Sequence, residues 1–443
     1  MDAVLLARIQ FAMTVGFHFI FPPITIGLAW LIFIFELIGY RKKEEIYVKL
    51  GKFFGKLLAL TFAVGVATGI VMEFQFGTNW SEYSKFVGDI FGAPLAAEGI
   101  FAFFLESGFI GLYLFGRNRV SKGVHLFAAL MVALGSTISA FWILVANSWQ
   151  QTPAGFVIQN GRAELVDFWA AVFNPSTLVR FFHTFIASLI TGAFFVAGIS
   201  AYLILKNKEV EIMKKSLKIS LIFGFIVSLL ELMPSGHTHA IQVAKTQPTK
   251  FAAIEGIYEG RTNAPLLAFG IPVDNPPRIL FPIEIPGLAS FLTYGDFSAY
   301  VKGLNDFPPE DIPPIFLTFV SFHSMVALGS LFILITLIGV FYLWKKKLYD
   351  KKWYLKLLIW LIPFPVIACQ LGWIAAEVGR QPWIVYGYLR TKDAVSITVP
   401  AEQVLISLII FALIYLLLGM LYVYILVKEV KHGPEPLLAK EGK

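Results

Sequence analysis

The stretch PIFLTFVSFHSMVALGSLFILITLIGVFYLW, residues 314–344, decides the fold class, because it is apolar almost throughout and contains no Asp, Glu, Lys or Arg. A helix that crosses a bilayer needs about 20 apolar residues, and this run exceeds that length. Eight more such runs give nine candidate spans, at residues 9–39, 53–75, 93–116, 123–147, 177–205, 216–233, 314–344, 355–377 and 403–428. The sequence therefore predicts an all-α integral membrane protein with about nine transmembrane helices.

The composition agrees with a membrane protein and excludes several kinds of site. Hydrophobic residues make up 57% of the 443-residue chain, and the mean hydropathy is +0.72, whereas soluble domains are about 45–50% apolar. A single cysteine, Cys369, excludes an internal disulfide, a zinc cluster and a cysteine-held iron–sulfur centre. Dinucleotide, P-loop and HExxH motifs are absent from the sequence, and we expect the lipid bilayer, not nucleic acid, as the chain's surroundings.

The distribution of Lys and Arg predicts the orientation of the chain. Residues 40–56, 117–122, 206–218, 345–356 and the tail from 428 together hold 24 of the 36 Lys and Arg. Cytoplasmic loops carry such an excess, so the N-terminus is predicted outside and the C-terminus in the cytoplasm. The predicted organisation is helices 1–6 in residues 1–233, an extracytoplasmic loop at 234–313, and helices 7–9 with a cytoplasmic tail in 314–443. No internal repeat is evident, which weakens a transporter hypothesis.

Three candidate metal ligands lie in the outer halves of the predicted spans. His18 on helix 1 precedes Pro22 and Pro23, which should kink that helix, and His183 lies near the outer end of helix 5. Met325 on helix 7 most often would be a packing residue, but His with Met is also a ligand set for an electron-transfer haem. A histidine bonded to a neighbouring helix remains the alternative for His18.

Buried carboxyl groups are the second kind of candidate, because ionisable groups inside a membrane are costly and are often functional. Glu98 and Glu106 lie eight residues apart on helix 3, an arrangement that suits a proton relay, with neutral hydrogen-bonded carboxyls as the alternative. Glu73 and Asn147 end helices 2 and 4 at the outer surface. Each of these two alone is more typical of a helix cap or an interface anchor.

A third candidate group closes helix 8 in AAEVGRQPW, residues 375–383. Glu377, Arg380 and Trp383 are spaced three apart, so a continuing helix would stack them on one side. A simple ion pair at the helix end is one interpretation. However, Glu377 shares its predicted depth with His18, His183 and Met325, and several candidate ligands at one depth, among many Phe and Trp, suggest haems near the outer face.

The long loop contains one further pair, Lys250 and Glu255, in VAKTQPTKFAAIEGIYEG. Residues 249–259 could form a short helix, on which a cation and a carboxylate beside an apolar face could bind and deprotonate a hydroxylated ring. A solvated amphipathic helix is the interpretation that composition alone favours.

Six stretches in order, together spread over nearly the whole chain, resemble subunit I of cytochrome bd-type quinol oxidases, in the class with the shorter quinol loop. They are RIQFAMTVGFHFIF, GVATGIVMEFQFGTNW, GDIFGAPLAAEGIFAFFLES, ALGSTISAFWILVANSW, KTQPTKFAAIE and GWIAAEVGRQPW. The resemblance implies a terminal respiratory oxidase that oxidises quinol and reduces oxygen to water. It would generate a proton motive force by vectorial chemistry, without pumping, in a bacterial or archaeal cytoplasmic membrane.

The resemblance also implies three haems and a set of residues around them. His183 and Met325 would hold a low-spin haem b. His18 and Glu377 would hold a high-spin haem b and a haem d, or a third haem b, in an order that stays open. The residues expected near the oxygen site or the proton route are Glu98, Glu106, Glu73 and Asn147. Those expected around the haems are Trp373, Arg380, Trp383 and His323. Lys250 and Glu255 would bind quinol.

His323 departs from the family pattern, which has Arg two residues before the Met ligand. A titrating group thus replaces a permanently charged one, and His323 could compete with Met325 for iron. The resemblance further implies a heterodimer with a second membrane subunit, and it allows small single-span subunits. Two rival functions are a haem-b quinone dehydrogenase anchor, which needs bis-His pairs that this sequence does not offer, and a proton-coupled transporter, which would bind no haem.

Overall fold

The computed structural model describes residues 2–274 and 277–436, and these are mostly helical. Within these ranges, nine helical stretches are long and apolar enough to cross a membrane. We number them spans 1–9: Ala3–Lys42, Glu45–Thr78, Ser81–Phe115, Lys122–Gln151, Thr177–Leu205, Val210–Thr246, Ile315–Trp344, Lys352–Val378 and Ala401–His432. The predicted fold class and all nine predicted spans are confirmed.

Four spans are interrupted, and in spans 1 and 3 the interruption lies next to a candidate site residue. Span 1 consists of the helices Ala3–His18 and Phe21–Lys42, so the kink predicted ahead of Pro22 and Pro23 is present. Span 3 contains a turn of π-helix, Glu98–Phe103, between Ser81–Ala97 and Phe104–Phe115, and such turns are frequent at functional sites.

Spans 6 and 8 are each broken into two helices. In span 6, Val210–Leu230 and His237–Thr246 are joined across a kink at which the backbone of Met233 is extended. In span 8 the two helices are Lys352–Trp360 and Phe364–Val378.

The connections carry the remaining elements. The strands form three antiparallel hairpins, β1 (Phe156–Gln159) with β2 (Arg162–Leu165), β3 (Leu266–Asp274) with β4 (Pro277–Ile285), and β5 (Trp383–Val385) with β6 (Leu389–Arg390). The short helices are Phe168–Val172, Pro248–Glu255 and Leu288–Tyr294, with 3₁₀ turns at Leu304–Asp306, Pro309–Asp311, Leu348–Asp350 and Thr391–Asp393. The first helix of span 6 ends near its predicted end at 233, and a second helix, His237–Thr246, follows the kink, so the first part of the long loop is helical.

Spans 1 and 5 meet at the centre of the bundle. A Cβ atom on Gly27 would lie 2.2 Å from the backbone oxygen of Ser188, and one on Gly192 would lie 2.3 Å from the backbone of Gly27. Small residues permit such close helix approach in membranes, so the backbone of span 1 packs directly against Gly192. The most apolar window of span 5 is 89% buried, against 11% in span 9, which places span 9 at the periphery.

Candidate functional site

One cavity of about 2160 Å³ connects the residues that the sequence singled out. Its wall includes His18, Glu73, Glu98, Glu106, Asn147, His183, Lys250, Glu255, His323, Met325, Trp373, Glu377 and Arg380. Pockets for a single small ligand are usually about 300–1,000 Å³, so this cavity has room for more than one large ligand. The shared depth predicted for the candidate ligands therefore corresponds to a shared space.

Trp383 is the exception among the predicted residues, and it does not line this cavity. The helix ends at Val378, and Trp383 begins strand β5. The expectation that one helix stacks Glu377, Arg380 and Trp383 on one side is therefore wrong for Trp383. Its ring instead receives the guanidinium of Arg390 at 4.7 Å from the ring centroid.

His183 lies beside a carboxylate that the sequence analysis missed. Nδ1 of His183 lies 2.9 Å from Oε1 of Glu231, which is next to the kink in span 6. The contact does not have hydrogen-bond geometry, but a carboxylate beside one ring nitrogen is the arrangement that leaves the other nitrogen for a metal. Glu231 lies inside the predicted span 216–233, so the rule that flags ionisable residues in spans could have found it.

Met325 and His323 differ in what their side chains can bind. A Cβ on Gly372 would lie 2.7 Å from the sulfur of Met325, so a side chain on span 8 at this point would displace the thioether. The ring nitrogens of His323 are close to two carbonyl oxygens, with Nδ1 3.1 Å from Phe319 and Nε2 3.0 Å from Leu267. Because both nitrogens face backbone oxygens, this geometry disfavours His323 as a competing iron ligand.

His18 is positioned by span 2. Its Nδ1 lies 3.0 Å from the hydroxyl of Thr68, which itself donates to the carbonyls of Val64 and Gly65. The hydroxyl proton is thus committed to the backbone, so the hydroxyl accepts from Nδ1–H and the lone pair of a neutral ring lies on Nε2. That is the state in which histidine binds a metal.

Glu377 lies in a buried network with an excess of positive charge. Its carboxylate is 2.5 Å from Arg380 and 3.7 Å from Arg180, and it accepts hydrogen bonds from Asn147 at 3.0 Å and Gln151 at 3.2 Å. Arg180 and Gln151 were not singled out from the sequence. The two guanidiniums face one carboxylate, and both are largely buried.

The unpaired atoms of this network fit an anionic cofactor. The Nε atoms of Arg180 and Arg380 are buried without a hydrogen-bond partner among the residues that the structure describes. Buried cations and buried donors are costly unless they are paired. A haem carries two carboxylate side groups that would satisfy such donors, so the charge, the cavity volume and the donor set of His, Met and Glu all fit haem.

Glu98, the first residue of the π-turn in span 3, and Glu106, in the helix after that turn, face the same cavity. Ser139 of span 4 donates to Oε1 of Glu98 at 2.6 Å, and a Cβ on Gly135 would lie 2.9 Å from the Cβ of Glu106. Glu106 is only 7% exposed. Spans 3 and 4 thus place two carboxyls and a hydroxyl along one wall, and these are groups that can carry protons.

The Lys250–Glu255 helix is buried, so the expectation of a solvated helix is wrong. The helix spans Pro248–Glu255, and every residue from Thr249 to Glu255 is buried. Nζ of Lys250 donates to the side-chain oxygens of Gln151 at 2.7 Å and Gln247 at 2.8 Å. Burial lowers the pKa of Lys250 well below its usual range, with the positive charge of Arg180 as a further cause.

Glu255 presents a free acceptor to the cavity. Burial raises the pKa of its carboxyl to about 7, and its Oε2 is buried without a hydrogen-bond partner in the described part of the chain. A carboxyl with this pKa can accept and release a proton near neutral pH. Lys250 and Glu255 therefore form a donor and a proton acceptor in one wall of the cavity.

Comparison with known proteins gives consistent relatives over nearly the full length. Residues 6–434 match the family described as Cytochrome bd terminal oxidase subunit I. The chain is 45% identical over 445 residues to cytochrome bd ubiquinol oxidase subunit 1 of Bacillus subtilis, covering 98% of this chain and 95% of the relative. It is 35% identical to cytochrome bd-II ubiquinol oxidase subunit 1 of Escherichia coli, with 99% and 98% covered.

A solved structure shows the same fold. The bd oxidase from Geobacillus thermodenitrificans superposes with a TM-score of 0.92 at 32% identity, covering 98% of this chain and 99% of that chain. Among the relatives, a second Bacillus subtilis protein, 35% identical, is named as a putative cytochrome bd menaquinol oxidase subunit I. Similar chains thus carry names with different quinols.

Proposed function

The chain belongs to the cytochrome bd terminal oxidase subunit I family, and from this premise we propose how its residues serve quinol oxidation and oxygen reduction. It is the first subunit of a bacterial quinol:oxygen oxidoreductase, it crosses the membrane several times, and the family implies haem, quinol and a partner subunit II. Family membership decides against the transporter and the dehydrogenase anchor.

The proposed ligand assignment is carried by one observation, namely that His18, His183, Met325 and Glu377 all line one cavity. His183 and Met325 would hold a low-spin haem b. His18 and Glu377 would hold the two high-spin haems, a haem b and either haem d or a third haem b. The bound haems supply electron carriers between quinol and oxygen and the iron at which oxygen is reduced.

Quinol would bind in the part of the cavity under the loop, against the buried helix Pro248–Glu255. Nζ of Lys250 donates to one quinol oxygen while Gln151 and Gln247 hold the amine in place. The free Oε2 of Glu255 accepts a quinol proton, which its pKa of about 7 permits near neutral pH. The burial of this pair, in a helix that composition alone would leave in solvent, supports the assignment.

Protons for oxygen reduction would reach the cavity along span 3. Glu106 is buried against span 4, and Ser139 hydrogen-bonds Glu98 further along the same wall. Glu73 also lines this space. Glu98 and Glu106 are eight residues apart on span 3, about 12 Å along a helix, so water in the cavity would connect the steps between these groups.

The orientation and the coupling follow from the Lys and Arg distribution. With the N-terminus outside and the C-terminus in the cytoplasm, the loop at 234–313 is extracytoplasmic. Quinol protons then leave outside, while protons for oxygen reduction enter from the cytoplasm. Charge separation needs no pump in this arrangement. The protein would reside in the cytoplasmic membrane as a heterodimer with subunit II, and additional small single-span subunits would leave this chemistry unchanged.

Spectroscopy of the purified complex tests the cofactor proposal. We expect a low-spin haem b signal and a high-spin signal in the reduced-minus-oxidised spectrum, with acid extraction to identify each haem. A far-red chlorin band identifies haem d, and its absence with three haems b per complex identifies the alternative. A folded complex without haem would overturn the proposal.

Reconstituted vesicles test the coupling. With the predicted orientation, quinol oxidation should acidify the side of the loop by about one proton per electron. A clearly larger ratio would contradict vectorial chemistry without a pump. Acidification of the opposite side would contradict the assigned orientation.

A further inference from the structure

The hairpin β3–β4 in the long loop has its apolar face turned outward. Phe269 and Ile283 are direct cross-strand partners, and Ile285 lies two residues further along the same face. Their side chains are 52%, 59% and 44% exposed. An antiparallel sheet that meets water on one face normally has polar residues there and apolar residues beneath, so this hairpin shows the reverse pattern.

The opposite face of the hairpin meets the protein at Leu267, which is buried. Glu284, the direct cross-strand partner of Leu267, lies 3.4 Å from Arg261, and its side chain is 43% exposed. The two faces thus differ in polarity, because this one carries a paired and exposed carboxylate while the other carries the large apolar side chains. Exposed apolar patches of this kind mark contacts with a membrane or another protein.

The depth of the hairpin is fixed by its contact with span 7. The backbone oxygen of Leu267 lies 3.0 Å from Nε2 of His323, which is eight residues after the first residue of the helix, or about 12 Å along its axis. Span 7 contains 30 residues, about 45 Å in length, whereas the hydrocarbon core is about 30 Å thick.

The excess length of span 7 must therefore extend beyond the hydrocarbon at the loop end. Trp344 is followed directly by Lys345, a pair typical of the opposite membrane interface. Counting about 20 residues back from Trp344 reaches the region of Met325, so His323 and the attached hairpin lie at the edge of the hydrocarbon. Phe316 and Leu317, on the same end of span 7, are also exposed and apolar.

We propose that the outward face of the β3–β4 hairpin is seated in the headgroup and upper acyl region of the adjacent lipid leaflet. A two-stranded sheet has open edges whose backbone groups need hydrogen-bond partners, so the seat is interfacial and does not extend into the hydrocarbon core. Leu266 and Leu267 also line the cavity. The lipid contact thus keeps the start of strand β3 beside the cavity. The proposed lipid contact does not depend on the proposed function, but any effect of this contact on quinol binding rests on that function.

Site-directed labelling of the holo-complex in lipid nanodiscs tests the proposal. Ile283→Cys places an environment-sensitive fluorophore on the outward apolar face, and the matched control Glu284→Cys places it on the opposite, polar face one residue away. The parent protein, whose single cysteine Cys369 lies inside span 8, measures background labelling. Haem content of each variant confirms that it is folded.

We expect lipids with a nitroxide near the headgroup to quench the label at residue 283 at least threefold more than the label at residue 284. Aqueous iodide should show the reverse preference. Strong iodide quenching at residue 283 would show a water-exposed face and would overturn the proposal. Protection of residue 283 from both quenchers would show a protein partner there and would also overturn it. Neither result depends on quinol oxidation.

Discussion

The pair of variants Glu377→Gln and Arg380→Gln separates a haem ligand from an ion pair at a helix end. Both changes break the same buried contact, the 2.5 Å pair between the carboxylate and the guanidinium. Only the first removes the carboxylate that we propose as a ligand. Both variants therefore lose the same ion pair, but only one of them loses a proposed haem ligand.

The expected loss of stability is large for both variants. Removing one partner of a buried ion pair costs about 3–5 kcal/mol. In Glu377→Gln the guanidiniums of Arg180 and Arg380 both lose their carboxylate, and in Arg380→Gln the carboxylate keeps Arg180 at 3.7 Å together with the amides of Asn147 and Gln151. Glu377→Gln should therefore be the less stable of the two, and stability alone does not identify a ligand.

Haem content identifies the ligand. We expect Glu377→Gln to lose one high-spin haem per complex, and Arg380→Gln to retain all haems with a shifted high-spin signal. Haem extraction, the reduced-minus-oxidised spectrum and thermal unfolding are measured on the same preparations. If Glu377→Gln is destabilised but keeps its full haem content and an unchanged high-spin spectrum, Glu377 is an ion-pair residue and the ligand assignment fails.

Three further predictions concern quinol and the low-spin haem. Because burial raises the pKa of Glu255 to about 7, the carboxyl is protonated below that pH and cannot accept a quinol proton. The value of kcat/KM should therefore fall as the pH decreases through 7. In Glu255→Gln this fall on the acid side of the pH profile should be absent. Lys250→Met removes a hydrogen-bond donor worth about 1.5–3 kcal/mol, so KM for quinol should rise roughly 10–100-fold. Lys250→Arg is the control, because it keeps a donor. An unchanged KM in Lys250→Met would show that Lys250 does not bind quinol. Glu231→Gln removes a negative charge 2.9 Å from His183, so the low-spin haem should become easier to reduce. Its reduction potential should rise by on the order of 59 mV, which corresponds to a tenfold change in the one-electron equilibrium. An unchanged potential in a redox titration would argue against His183 as its ligand.

The sequence predicted the number and type of spans well because hydropathy is a local property of each run. It predicted their ends less well. The predicted run at 93–116 begins after the polar stretch that contains Glu82, Lys85 and Asp89, yet the helix of span 3 begins at Ser81. Tertiary packing extends the helix where local polarity would end it, and a window of hydropathy contains no information about that packing.

The candidate site was predictable where a residue type is unusual for its surroundings and unpredictable where packing decides its environment. His18, His183 and Glu377 stand out as ionisable groups in apolar runs. The burial of Lys250 is different, because its partners Gln151 and Gln247 come from two separate parts of the chain. A helix with this composition has no local feature that distinguishes a buried position from a solvated one.

The charges around Glu377 also bear on why these residues occur together at all. The guanidiniums of Arg180 and Arg380 lie near a single carboxylate, and both side chains are buried. A membrane protein gains no stability from isolated buried cations, since each costs more free energy than one shared partner returns. Such a cluster is tolerable when a bound anion neutralises it. The protein without its haems should therefore be much less stable than the complex, and loss of one haem should weaken the whole cavity and not only its own ligands.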